Sequence, residues 1–129
     1  MEQVPCVLVV DDDKQLLQLV GILLKRVKCQ NELIEDGNSA MRWLEAPERL
    51  DLVILDLMLP DLDGFDILRH IRSRSEFEHV SVLILSAKAD PTTIRNGIDY
   101  GADGYITKPY LANNLIARVQ ALLNAGRKN

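Results

Sequence analysis

Several polar residues in this chain stand directly after short apolar runs, and their types belong together chemically. Asp11, Asp12 and Asp13 follow the run Cys6 to Val10, Asp56 follows Leu52 to Leu55, Ser86 follows Val80 to Leu85, and Lys108 follows Gly104 to Thr107. Carboxylates crowded at one place repel and raise one another's pKa unless a cation neutralises them, and a site of oxygens alone suits a hard ion such as Mg2+. Acidic residues at strand ends also serve as plain helix caps, and Asp13 can cap a helix that begins at Lys14. A carboxylate nucleophile surrounded by a divalent ion, an ammonium and a hydroxyl has the parts that phosphoryl transfer requires. A lone strand-end lysine is usually a solvated charge, so it is the whole set that points to chemistry.

For these residues to meet, the apolar runs must lie side by side and point the same way. The runs Cys6 to Val10, Leu52 to Leu55 and Val80 to Leu85 are β-branched or Leu-rich and read as strands buried on both faces, while Gly104 to Thr107 reads as a weaker last strand. Between them lie stretches with helical spacing: Leu16, Val20, Leu23, Leu24 and Val27 share one stripe, as do Leu111, Leu115, Val119 and Leu122. Glu32 to Glu35 reads as a weaker strand, and Asn38 to Ala46 and Gly64 to Ser73 read as helices. Asp90 and Pro91 offer an N-cap followed by proline at the first helical position, which predicts a helix to about Gly101. Strand and helix thus alternate through five units, which predicts a doubly wound α/β fold with a five-stranded parallel sheet and five helices. Sites in such sheets form outside the carboxyl ends of the strands, where the polar residues fall.

Composition narrows the function classes. A chain of 129 residues with 47% apolar and 26% charged residues fits one ordinary soluble domain. The formal charge of -4 supplies no general attraction for nucleic acid, so no direct nucleic-acid binding is expected of this segment. Cys6 and Cys29 show neither metal-ligand nor redox spacing, which suggests incidental thiols in a reducing, cytoplasmic compartment. Met1 to Pro5 lacks a signal-peptide layout, and no apolar run approaches the ~20 residues of a membrane span.

The motifs, in order, are Val7-Leu8-Val9-Val10-Asp11-Asp12, Asp56-Leu57-Met58-Leu59-Pro60-Asp61-Leu62-Asp63-Gly64, Ser86-Ala87, and Gly101-Ala102-Asp103-Gly104-Tyr105-Ile106-Thr107-Lys108-Pro109. Over nearly its whole length the chain resembles the receiver domains of bacterial two-component response regulators. The resemblance implies a flavodoxin-like strand order 2-1-3-4-5, with residues 1–125 as the receiver and 126–129 as a polar tail or the start of a linker. It implies that Asp56 accepts a phosphoryl group from a histidine kinase or histidine phosphotransfer protein. Asp12 would be a direct Mg2+ ligand, Asp11 a ligand through water, and the Met58 backbone carbonyl a third protein ligand beside Asp56. Lys108 would hold the phosphoryl oxygens, Ser86 would give its hydroxyl to them, and Tyr105 would swing inward as Ser86 moves. The surface from Pro91 to Leu123 would be the partner or homodimer face. Met58 and Lys88 occupy positions that line the route to the phosphoryl group and vary with the lifetime of the phosphorylated state.

The remaining features weigh less. Pro109 can hold the backbone after Lys108, and a cis peptide is open to it because proline alone makes one cheap. An aromatic in a last strand, such as Tyr105, is usually packing when taken alone, and His70 and His79 read as surface or cap residues. Asp61-Leu62-Asp63-Gly64 imitates the nucleophile motif of haloacid-dehalogenase-type phosphatases, yet Pro60 precedes it and the apolar run has already ended at Asp56. Asp63-Gly64 is better explained as a turn with helix entry. A flavodoxin-like electron carrier shares the expected fold, but three aspartates after the first strand would repel the phosphate of a flavin nucleotide.

Overall fold

The computed structural model describes residues 4–127, so Lys128 and Asn129 of the expected polar tail lie outside the described residues. In chain order the elements are β1 (Cys6–Val10), α1 (Lys14–Arg26), β2 (Gln30–Ile34), α2 (Gly37–Trp43), β3 (Leu52–Leu55), α3 (Gly64–Ser73), a 3-10 turn (Ser75–Phe77), β4 (Ser81–Ser86), α4 (Pro91–Asp99), β5 (Gly104–Thr107) and α5 (Ala112–Ala125). The strands form one parallel sheet in the order β2-β1-β3-β4-β5.

Alternation along each strand feeds two cores. Leu8, Val10, Val53, Leu55, Val82 and Ile84 face α2 and α3, where Ala40, Leu44, Ile67, Leu68 and Ile71 are buried. Val7, Val9, Leu52, Ile54, Leu83 and Leu85 face α1 and α5, where Leu17, Val20, Leu23, Leu24, Leu115 and Val119 are buried. A sheet covered on both faces needs continuous apolar strands, which is why β3 and β4 are buried at every position.

Four elements differ in their bounds from the sequence reading. Strand β4 starts at Ser81, because the Val80 N–H closes the 3-10 turn onto Phe77 O at 3.0 Å. Strand β2 begins earlier, at Gln30, paired with Cys6. Helix α2 stops at Trp43 and α4 at Asp99, where the Gly101 N–H turns back onto Ile98 O at 3.0 Å. Leu111 does not belong to the buried stripe of α5: it is the N-cap residue and 70% exposed.

Each helix except α5 has an aspartate at its N-cap whose carboxylate accepts N–H groups of the first turn: Asp13, Asp36, Asp63 and Asp90. Asp13 and Asp90 therefore do the capping that the sequence suggested.

Candidate functional site

The parallel order places the carboxyl ends of β1 and β3 side by side. Asp11 extends the ladder, its N–H donating to Ile34 O at 3.1 Å, and the Asp56 N–H donates to Val10 O at 2.9 Å. Backbone pairing thus fixes both residues before their side chains act. Asp11 and Asp56 are 3% and 5% exposed, while Asp12 is exposed at the rim. One carboxylate oxygen from each of Asp11, Asp12 and Asp56 lies within 4.8 Å of the others.

Lys108 comes from β5, whose pairing with β4 carries on past its end through the Lys108 N–H on Ser86 O at 2.9 Å. The Lys108–Pro109 peptide is cis. The Lys108 ammonium reaches Asp11 Oδ2 at 2.7 Å and Asp56 Oδ2 at 3.1 Å. The other oxygens have backbone donors: Asp13 N–H on Asp11 Oδ1 at 3.0 Å, and Met58 N–H on Asp56 Oδ1 at 3.1 Å.

Electrostatics follow from this burial. Loss of hydration pushes the Asp11 carboxyl above its ordinary value, against the pull of Lys108 and the Asp13 N–H. Burial alone would lower Lys108, but its bonds to Asp11 and Asp56 outweigh that and hold its ammonium above the ordinary lysine value. One ammonium facing a buried carboxylate pair, with a third carboxylate beside it, leaves the group short of positive charge. A hard divalent cation fits such a donor set, since it neutralises several oxygens at once and lowers every carboxyl it touches.

Ser86 is fully buried at the end of β4. Its Oγ accepts the Lys88 N–H at 3.3 Å, and the Lys88 carbonyl accepts the Tyr105 hydroxyl at 2.6 Å. The Lys88 backbone therefore joins Ser86 to Tyr105. Burial raises the Tyr105 phenol, with the Ser86 hydroxyl opposing, so Tyr105 remains a neutral donor at physiological pH. Met58 and Lys88 line one cleft of about 400 Å3 with Asp12, Asp63 and Phe65, at the open side of the acidic group. Met58 is 52% exposed.

The expected site residues Asp11, Asp12, Asp56, Met58, Ser86, Lys88 and Lys108 lie at this edge, whereas Cys6, Cys29 and the two histidines do not. His79 is exposed with its ring nitrogen 3.1 Å from Leu50 O, and His70 is half-buried in α3. Sequence reasoning missed two things: the bridging backbone of Lys88, and Asp61, whose carboxylate bonds to the start of α2. No local signal marks either: Asp61 accepts backbone N–H groups 24 and 23 residues away, and the Lys88 bridge is completed only by the hydroxyl of Tyr105, which the fold brings alongside.

The family model for the response regulator receiver domain matches residues 7–120. The chain belongs to this family. Among curated relatives, the sensory transduction protein RegX3 of Mycolicibacterium smegmatis is 37% identical over 95% of this chain and 52% of its own length. The DNA-binding response regulator MtrA of Mycobacterium tuberculosis is 40% identical over 91% of this chain and 50% of its own. The chain thus spans about half the length of the curated relatives it matches. Among solved structures, the signal receiver domain of a putative Luxo repressor protein from Vibrio parahaemolyticus superposes with a TM-score of 0.88 at 31% identity, covering 95% of this chain and 92% of that one. This receiver is a signalling module of the two-component type, and its strand order 2-1-3-4-5 is that of the family. Among the described residues no helix is long and apolar enough to cross a membrane.

Proposed function

We propose that this receiver accepts a phosphoryl group on Asp56 from a histidine kinase or histidine phosphotransfer protein, in a Mg2+-dependent reaction, and signals through the surface of α4, β5 and α5. The observation that carries the reading is the Asp56 carboxylate itself, buried, within 4.8 Å of two others, and bonded to Lys108 at 3.1 Å.

In the transfer, the bond from phosphorus to the donor atom breaks and a bond from phosphorus to an Asp56 oxygen forms, with the donor group leaving. Asp11, Asp12, Asp56 and the Met58 carbonyl are the residues that would hold Mg2+, whose chemistry is to neutralise the phosphoryl oxygens and the crowded carboxylates. Lys108 already faces Asp56 Oδ2, so its ammonium is in place to balance charge that develops on the transferring group. The Met58 N–H on Oδ1 fixes the orientation of the carboxylate. Ser86 supplies a hydroxyl at the same edge, and drawing it inward would strain its link to Lys88 and so release Tyr105. Hydrolysis of the aspartyl phosphate needs an oriented water. Met58 cannot orient one, and Lys88 offers donors without an acceptor, so the phosphorylated state is long-lived.

Intact-mass spectrometry with a small phosphodonor tests the assignment. The wild-type chain gains one phosphoryl group with Mg2+ present and none after chelation, and Asp56→Ala gains none. Equal labelling of Asp56→Ala, or indifference to chelation, contradicts the reading.

A further inference from the structure

Helix α2 has only seven residues, too few to be stable by its own hydrogen bonds. Its first N–H groups are orphans that need acceptors. Asp36 serves one end of this need, accepting the Ser39 N–H at 2.7 Å and the Ser39 hydroxyl at 2.9 Å. The others are served from far away. Asp61 Oδ1 accepts the Gly37 N–H at 2.8 Å and Asp61 Oδ2 the Asn38 N–H at 2.8 Å, across 24 and 23 residues of chain. These two N–H groups, Asn38 first and Gly37 second, hold the Asp61 carboxyl below its ordinary value. Leu62 adds an apolar contact at the same point: a Cβ on Gly37 would stand 2.8 Å from Leu62 Cβ, so only glycine lets the loop sit this close.

Asp61 and Leu62 belong to the loop that runs from Asp56 to α3 and carries Met58. Its far end is already fixed, since the Gly64 N–H donates to Leu57 O at 3.0 Å and Asp63 caps α3 through Phe65 N–H at 2.9 Å. The exposed middle of the loop has its side-chain hydrogen bonds to the rest of the fold through Asp61. An exposed loop aspartate is ordinarily a turn residue. Here the turn is served by Asp63, and both oxygens of Asp61 go to another element.

We propose that Asp61 is a positioning residue of the acceptor site: by clamping the loop onto α2 it holds the Met58 carbonyl where Mg2+ is bound, and so sets Mg2+ affinity. The inference rests on the reading of Met58 as a carbonyl ligand given above. Groups behind a metal's direct ligands typically change affinity about tenfold or more when removed.

The test compares Asp61→Ala and Asp61→Asn with Asp36→Ala, which also uncaps α2 but leaves the loop clamped. MgCl2 is titrated into each protein and binding is followed by amide shifts at the acidic edge, without phosphodonor. Melting of each variant is followed separately. Asp61→Ala is expected to weaken Mg2+ binding about tenfold, Asp61→Asn less, and Asp36→Ala not at all even though it melts earlier. Labelling of Asp56 by a small phosphodonor should be slower in Asp61→Ala at low Mg2+ and recover at saturating Mg2+. If Asp61→Ala fails to fold, Asp61→Asn carries the comparison. Wild-type Mg2+ affinity in the Asp61 variants, or an equal loss in Asp36→Ala, overturns the positioning role while leaving Asp56 labelling intact. A wild-type chain that neither binds Mg2+ nor labels on Asp56 overturns the site reading itself.

Discussion

Helix α4 starts beside the acidic edge, just after β4, and the two are built in opposite ways. Asp11, Asp56 and Ser86 extend strands whose side chains are buried on both faces, and each is 5% exposed or less. Helix α4 buries only Gly97 among its nine residues, and Ile98 is 48% exposed. At its C-cap the Tyr100 ring meets Phe65 edge-on at 5.3 Å and lies under the Arg69 guanidinium at 4.1 Å. Transfer chemistry needs fixed geometry, whereas a readout needs a second arrangement within a few kcal/mol. A rigid site beside a lightly packed helix satisfies both.

The largest effect expected from this contrast is on stability. Leu83→Ala in β4 removes a fully buried side chain and should cost about 2–5 kcal/mol, whereas Ile98→Ala on α4 should stay within about 0.5 kcal/mol. Chemical denaturation of the two variants reads this difference, and equal losses would erase the contrast. Gly64→Ala sharpens it within the acceptor loop. A Cβ there would stand 2.5 Å from Asp56 O and Leu57 Cα, both backbone, so the loop must shift. We expect a loss of about 1–3 kcal/mol together with slower Asp56 labelling, and a variant that labels at the wild-type rate would show that the loop tolerates displacement.

A kinetic effect comes next. Replacing Met58 by Asn and Lys88 by Glu places groups that hydrogen-bond water in the cleft beside Asp56. One well-oriented water contact is worth about 1–3 kcal/mol in a transition state, so the double variant should release phosphate at least several-fold faster while still accepting label. Phosphate release after donor removal measures it. Equal or slower release would move control of lifetime to Lys108 or to backbone motion.

The smallest effect is on pH. The Thr93 hydroxyl, then the Thr93 N–H, hold the Asp90 carboxyl below its ordinary value at the start of α4. A depressed carboxyl contributes stability that is present above the unfolded pKa and lost as pH falls through the folded one. Acid should therefore loosen the first turn of α4 while the β strands hold, read as faster exchange of the Thr93 amide below about pH 4. Loss of Val9 and Ile54 protection over the same range would contradict it.

Much of this contrast was legible in the sequence. Continuous apolar runs ending at Asp11, Asp56 or Ser86 reveal strands buried on both faces, and a parallel sheet then obliges their carboxyl ends to meet. Periodicity failed where a boundary depends on tertiary partners. Leu111 has the spacing of a core residue but precedes the first turn of α5, so it points to solvent. Val80 is apolar and buried yet belongs to a turn. Asp61 and the Lys88 backbone were invisible because their bonds depend on which loops the fold brings together, and neither sits at a position that strand or helix period marks.

The most direct test of a rigid site driving a soft readout is residue-resolved amide exchange of the chain before and after phosphorylation of Asp56. Protection should change most across residues 86 to 123, spanning the Lys88 bridge, α4, Tyr105 and α5, with β1 and β3 unchanged. Change confined to residues 11 to 30, with 86 to 123 untouched, would contradict the account.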